Sequence, residues 1–170
     1  MDASQSVGEL VDAAQVNAKI SVDRISQVLT AIDGQNGSED QVEELRAATV
    51  ALELVAVDIF SVFEARMGHH FKRGPFARKL KAKLLDARKA DLAHRFHQYY
   101  LAINVLKHGT GASFRELRDN PNAMFVLRGE DEIAGADTAE PVGLVDVTVT
   151  GFFDGLSATI LEAYAFLEKK

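Results

Sequence analysis

The chain has 170 residues, 47% of them hydrophobic and 26% charged, with a formal net charge of −6 and no cysteine. That length serves one hydrophobic core, so a single domain over residues 1–170 is expected, and the lack of cysteine excludes disulfides and thiolate metal centres. The start "MDASQSVGELVDAAQ" has neither the basic nor the apolar region of a signal peptide, and no apolar run reaches the roughly 18 residues of a membrane span, so a cytoplasmic protein without membrane contact is expected.

Residues 6–32 place Val7, Leu10, Val11, Ala14, Ile20, Ile25, Val28 and Leu29 at largely helical spacing and predict a first helix ended by Asp33-Gly34. Ser38, with Gln41 three residues later, predicts an N-cap and capping box for a second helix running to about Met67, with Gly68 as its stop. From Ala47 to Phe63 that helix is apolar on nearly all sides, which predicts a place in the middle of a bundle. "HHFKRGPF" reads as a connector, with His69 and His70 as surface or helix-ending residues and Pro75 suited to a first helical turn.

No glycine or proline lies between Phe76 and His108. The stretch fits one helix of about 33 residues, roughly 50 Å long, or two helices joined near Asp86–Asp91; the single rod is preferred. Residues 109–147 then hold Gly109, Gly111, Pro121, Gly129, Gly135, Pro141 and Gly143. Within them "MFVLR" and "GLVDVTV" have β-type composition and predict a small hairpin or extended flap around an exposed acidic loop, "GEDEIAGADTAE". Helical spacing returns from about Asp146 to Leu167. The expected fold is all-α: an up-and-down bundle of four to five helices with a small irregular or β-hairpin insertion near 110–147.

Charge is segregated along the chain. Residues 1–65 carry 3 basic and 12 acidic side chains, whereas residues 66–95 carry 10 basic against Asp86 and Asp91. A basic segment in an acidic protein can bind a polyanion or dock on the protein's own acidic helices. Arg78, Lys79, Lys81 and Lys83, joined by Arg95 and Arg115, are the cations available to a nucleic acid.

On a helical wheel of residues 90–108, Leu92, Phe96, Tyr99, Ile103 and Leu106 form a core stripe. His94, His97, Leu101, Asn104 and His108 fall on the opposite side, so three of the five histidines share one face. His94 and His97 would need metal ligands from another helix, such as Glu53, Asp58 or Glu64, and His-Glu-x-x-His spacing is absent. No metal site and no cofactor is assigned. Asn104, Lys107 and His108 instead suit metal-free chemistry on RNA. An imidazole can accept the 2′-hydroxyl proton, and a cation with an amide donor can steady the phosphate.

"AINVLKHG" resembles the short motif of HEPN domains, an all-α superfamily of dimeric nucleotide-binding proteins that includes many metal-independent RNases. The match runs from Asn104 to Gly109, and the family's arginine position holds Ile103. The resemblance implies a homodimer that binds RNA, with His108, Asn104 and Lys107 as catalytic residues of a metal-independent endoribonuclease. The alternative is a non-catalytic helical scaffold or protein-partner-binding domain.

Overall fold

The capping box at Ser38 forms. Its hydroxyl accepts from the Gln41 N–H at 3.2 Å, and the Gln41 side chain accepts from the Ser38 N–H at 3.0 Å. The computed structural model describes residues 5–32, 37–129 and 143–169. These form six α-helices, α1 Val7–Ile32, α2 Glu39–Met67, α3 Phe76–Asp86, α4 Ala90–His108, α5 Ala112–Asp119 and α6 Phe152–Glu168, packed as an all-α bundle. A single 3-10 turn, Gly68–His70, follows α2. Among the described residues no helix is long and apolar enough to cross a membrane.

Helices α1 and α2 pair antiparallel: Leu10 and Ala14 sit near Ile59 and Val62, while Arg24 near the other end pairs with Glu44. The middle of the bundle belongs to α4 rather than α2. Leu92, Ala93, Phe96, Gln98, Tyr99, Leu101, Ala102, Ile103 and Val105 are all buried on α4, which packs on α2, α3, α5 and α6. On α2, by contrast, Val50 and Leu54 are 44% and 56% exposed. The apolar run from Ala47 to Phe63 therefore covers the core with one side and leaves the other in solvent.

The expected rod over 76–108 is broken. Arg88 has φ +60°, its N–H donates to the Leu85 carbonyl at 2.9 Å, and the Lys89 N–H donates to the Leu84 carbonyl at 2.8 Å. This pair of bonds around one left-handed residue is a Schellman motif, here with Arg88 where glycine is usual, so the chain reverses and α3 folds back on α4. Phe76 meets Phe96 edge-on at 6.3 Å between ring centroids, and Phe60 stacks on Phe96 at 5.6 Å. Phe63 and Phe71 complete this cluster, each 5.6 Å from Phe76.

The insertion contains the helix α5, which no sequence signal announced. The expected hairpin shrinks to one antiparallel bridge, Leu127 with Val145, flanked by bonds from the Arg128 N–H to Leu144 O and from the Asp146 N–H to Val126 O. Arg128 also pairs with Asp146 at 3.2 Å. Residues 130–140, read as the exposed acidic loop, lie outside the described residues, as does the turn at 33–36. The last helix starts at Phe152, six residues after the expected point. Asp146 accepts from the N–H and hydroxyl of Thr148 at 3.0 and 2.6 Å, which makes a local turn. Gly151 then takes φ +88° before α6 begins.

Candidate nucleic-acid interface

Helix α4 runs unbroken from Ala90 to His108, which places Asn104, Lys107 and His108 on its last turns. Lys107 and His108 are exposed and Asn104 is half-buried. The Gly109 N–H closes the helix on Val105 O at 2.8 Å with φ +72°. A helix C-terminus carries partial negative charge, so a cation is well placed there. No hydrogen bond or ion pair holds the His108 ring among the described residues. Ile103 is 1% exposed and belongs to the core.

Two carboxylates of α2 lie toward this end of the molecule. Residues 143–144 run between Gly109, which faces Leu144, and the Glu53 carboxylate, which abuts Gly143. Burial pushes the Glu53 carboxyl up to about 7, and its buried Oε1 has no hydrogen-bond partner. Burial likewise raises Glu64, and the nearby Lys107 ammonium opposes that rise. Among the described residues, Glu53 and Glu64 are thus carboxyl groups raised by burial, and the Lys107 ammonium acts on one of them. The sequence reading weighed both only as metal ligands; burial of a carboxylate within an apolar helix was the signal that marked them.

The histidine face is not uniformly polar. His94 is exposed, but His97 Nε2 lies 2.6 Å from Glu116 on α5, and its ring stacks beside Tyr100 at 6.2 Å. Leu101, on the same face, is 2% exposed. Helix α5 reaches this stretch through the His97–Glu116 contact.

The basic residues divide. Arg78, Lys79 and Lys83 are exposed on α3 and Lys81 is half-buried, and among the described residues no salt bridge joins any of them to α1 or α2. The acidic first helices therefore do not neutralise this segment through ion pairs. Lys83 lies over the Phe71 and Phe166 rings at 5.8 and 5.9 Å, so its stem packs while its charge stays at the surface. Arg115 is exposed on α5. Arg95 is different: it donates to Asp91 at 2.9 Å and clasps both Glu162 oxygens at 2.8 and 3.3 Å. It locks α4 to α6 and leaves the nucleic-acid set.

The structure thus brings Asn104, Lys107 and His108 together at one helix end. The α3 cations form a separate patch, because α3 runs beside the first half of α4. A cleft of about 420 Å³ between α1 and residues 147–154 involves neither group. No family model, curated protein or solved structure matches the chain.

Proposed function

We propose that the protein is a HEPN-like helical domain that binds single-stranded RNA through the α3 face. The observation that supports this reading is the exposed set Arg78, Lys79 and Lys83, with Lys81 beside them, unneutralised by the acidic helices of a protein whose net charge is −6. Phosphate groups are the natural counter-charge for such a row. Cleavage is a second step of the reading. His108 would take the 2′-hydroxyl proton, with Asn104 and Lys107 at the phosphate, and with Ile103 buried, Lys107 is the cation within the motif that would stand in for the family's arginine. The homodimer that the resemblance implies belongs to the same proposal.

The test is retention of a single-stranded oligoribonucleotide at about 0.15 M salt. The wild type is expected to retain it, and a Lys79→Ala, Lys81→Ala, Lys83→Ala variant to lose it. Equal, negligible retention by both proteins overturns the binding claim. RNase activity that survives His108→Ala unchanged overturns the catalytic one.

A non-catalytic partner-binding scaffold is favoured by one different observation. Val16 and Ile20 on α1 are 62% and 64% exposed, and Val50 and Leu54 are exposed on the adjacent α2. These are exposed apolar side chains on two paired helices, open to another protein.

A further inference from the structure

The chain brings two histidines and a carboxylate together at a place that no RNA reading uses. The 3-10 turn after α2 carries His69 and His70, and Glu168 is the last residue of α6. His70 Nε2 lies 2.9 Å from Glu168 Oε1 across 98 residues of sequence. The two imidazoles stand with ring centroids 4.2 Å apart. One ligand atom from each of the three residues can be chosen so that all lie within 4.8 Å of one another.

We infer that His69, His70 and Glu168 form a binding site for a borderline first-row divalent cation, with Zn²⁺ as its redox-inert representative. Two imidazoles and a carboxylate are a standard donor set for such ions, with a fourth position left to water. Bonds of about 2.0–2.2 Å to a tetrahedral ion put donor atoms roughly 3.3 Å apart. His70 and Glu168 are already closer than that, and one ring nitrogen of His69 lies within 4.8 Å of a ligand atom from each of them. The His69 ring is also pre-set. Its Nδ1 sits 2.7 Å from the Arg66 carbonyl oxygen, so Nδ1 carries the proton and Nε2 keeps the lone pair available to a metal. That backbone-carbonyl anchor is the usual outer partner of a ligating histidine.

The electrostatics agree with a cation. The C-terminal ends of α2 and α6 converge here, and both present partial negative charge. The Arg66 guanidinium is engaged elsewhere, donating to the Gln5 carbonyl at 2.9 Å. His70 is partly shielded at 19% side-chain exposure and Glu168 is open at 45%, so the ion would have a solvent entry path. Bound metal would tie the end of α6 to the end of α2.

The experiment is calorimetric titration of the metal-free full chain with ZnCl₂, alongside thermal unfolding with and without the ion. One saturable ion per chain is expected, with the unfolding midpoint raised, because the three ligands meet only in the folded chain. His69→Ala and Glu168→Gln should each weaken Zn²⁺ binding by tenfold or more and abolish the midpoint shift. A His94→Ala, His97→Ala variant should bind as the wild type does. His69, Glu168 and His94 are exposed and His97 is half-buried against Glu116, and circular dichroism verifies that each variant is folded. No saturable uptake by the wild type overturns the inference, as does uptake that survives both His69→Ala and Glu168→Gln. Loss of uptake only on removing His94 and His97 overturns it as well.

Discussion

The Tyr99 hydroxyl donates to the Phe152 carbonyl oxygen at 2.9 Å, and that hydroxyl oxygen fills the space a Cβ on Gly155, one turn further on, would occupy. Tyr99 is 2% exposed, and burial lifts its phenol to about 12, so the hydroxyl stays protonated and able to donate. The bond satisfies a carbonyl at the start of α6, and the close approach explains why a glycine sits within that helix. Tyr99→Phe should cost about 1 kcal/mol, the net worth of one buried hydrogen bond. Gly155→Ala should destabilise by about 1–2 kcal/mol, because crowding the hydroxyl outweighs alanine's better helix propensity. In the Tyr99→Phe background the added methyl meets only ring carbon at ordinary contact, and Gly155→Ala should become neutral or stabilising. Urea unfolding of the four proteins checks this cycle, and simple additivity would contradict it.

The left-handed Arg88 makes a second prediction. A side chain at φ +60° carries about 1–2 kcal/mol of strain that glycine lacks, partly offset by glycine's greater freedom in the unfolded chain. Arg88→Gly should therefore raise stability by about 0.5–1 kcal/mol, measured as a higher denaturant midpoint at unchanged slope. A loss of stability would mean that the Arg88 side chain has a binding role in the bundle.

Glu53 sets a pH dependence. Its carboxyl titrates at about 7 in the folded chain against an ordinary value of 4.5. Between those values the folded chain holds a proton that the unfolded chain releases, so stability falls as pH rises through the window. Discounted for partial exposure, the effect is about 1–2 kcal/mol, and Glu64 adds in the same direction. Glu53→Gln should stabilise the protein at pH 8, do little at pH 4, and flatten the profile between them. Chemical unfolding at a series of pH values reads this directly.

If RNA lies along α3, binding should weaken steeply with salt. Four phosphate contacts with a single strand correspond to a slope near −3 in log K against log salt, and removing three lysines should flatten it by about 2. Anisotropy titrations between about 50 and 200 mM salt supply the slope. A flat line would exclude the α3 row as the contact surface.

Much of the fold was legible locally. The Ser38 capping box, the bounds of α1 and α2 and the buried stripe Leu92, Phe96, Tyr99 and Ile103 all follow from spacing and short-range hydrogen bonding. The break at Arg88 was hidden because its left-handed cap is carried by arginine, with no glycine or proline to announce it. Helix α5 is only 8 residues long, too short for periodicity to declare. Leu101 was placed on a polar face that α5 in fact covers, and α2 was placed at the centre because an apolar run does not reveal how many neighbours a helix has. Of the candidate site, the grouping of Asn104, Lys107 and His108 could be read from one helix. The withdrawal of Arg95 to Glu162 and the meeting of His70 with Glu168 depend on partners 67 and 98 residues away.

The five phenylalanines at positions 60, 63, 71, 76 and 96 bind together the end of α2, the connector, α3 and the first half of α4. All lie within one contiguous fifth of the chain, so joining them requires closure of only short loops. This region is the expected seed from which the molecule assembles, with the terminal helices docking afterwards. Phe63→Leu should then slow refolding by most of its equilibrium cost, whereas Val11→Ala should act mainly by speeding unfolding. Stopped-flow measurements on the two variants would reveal the order of events.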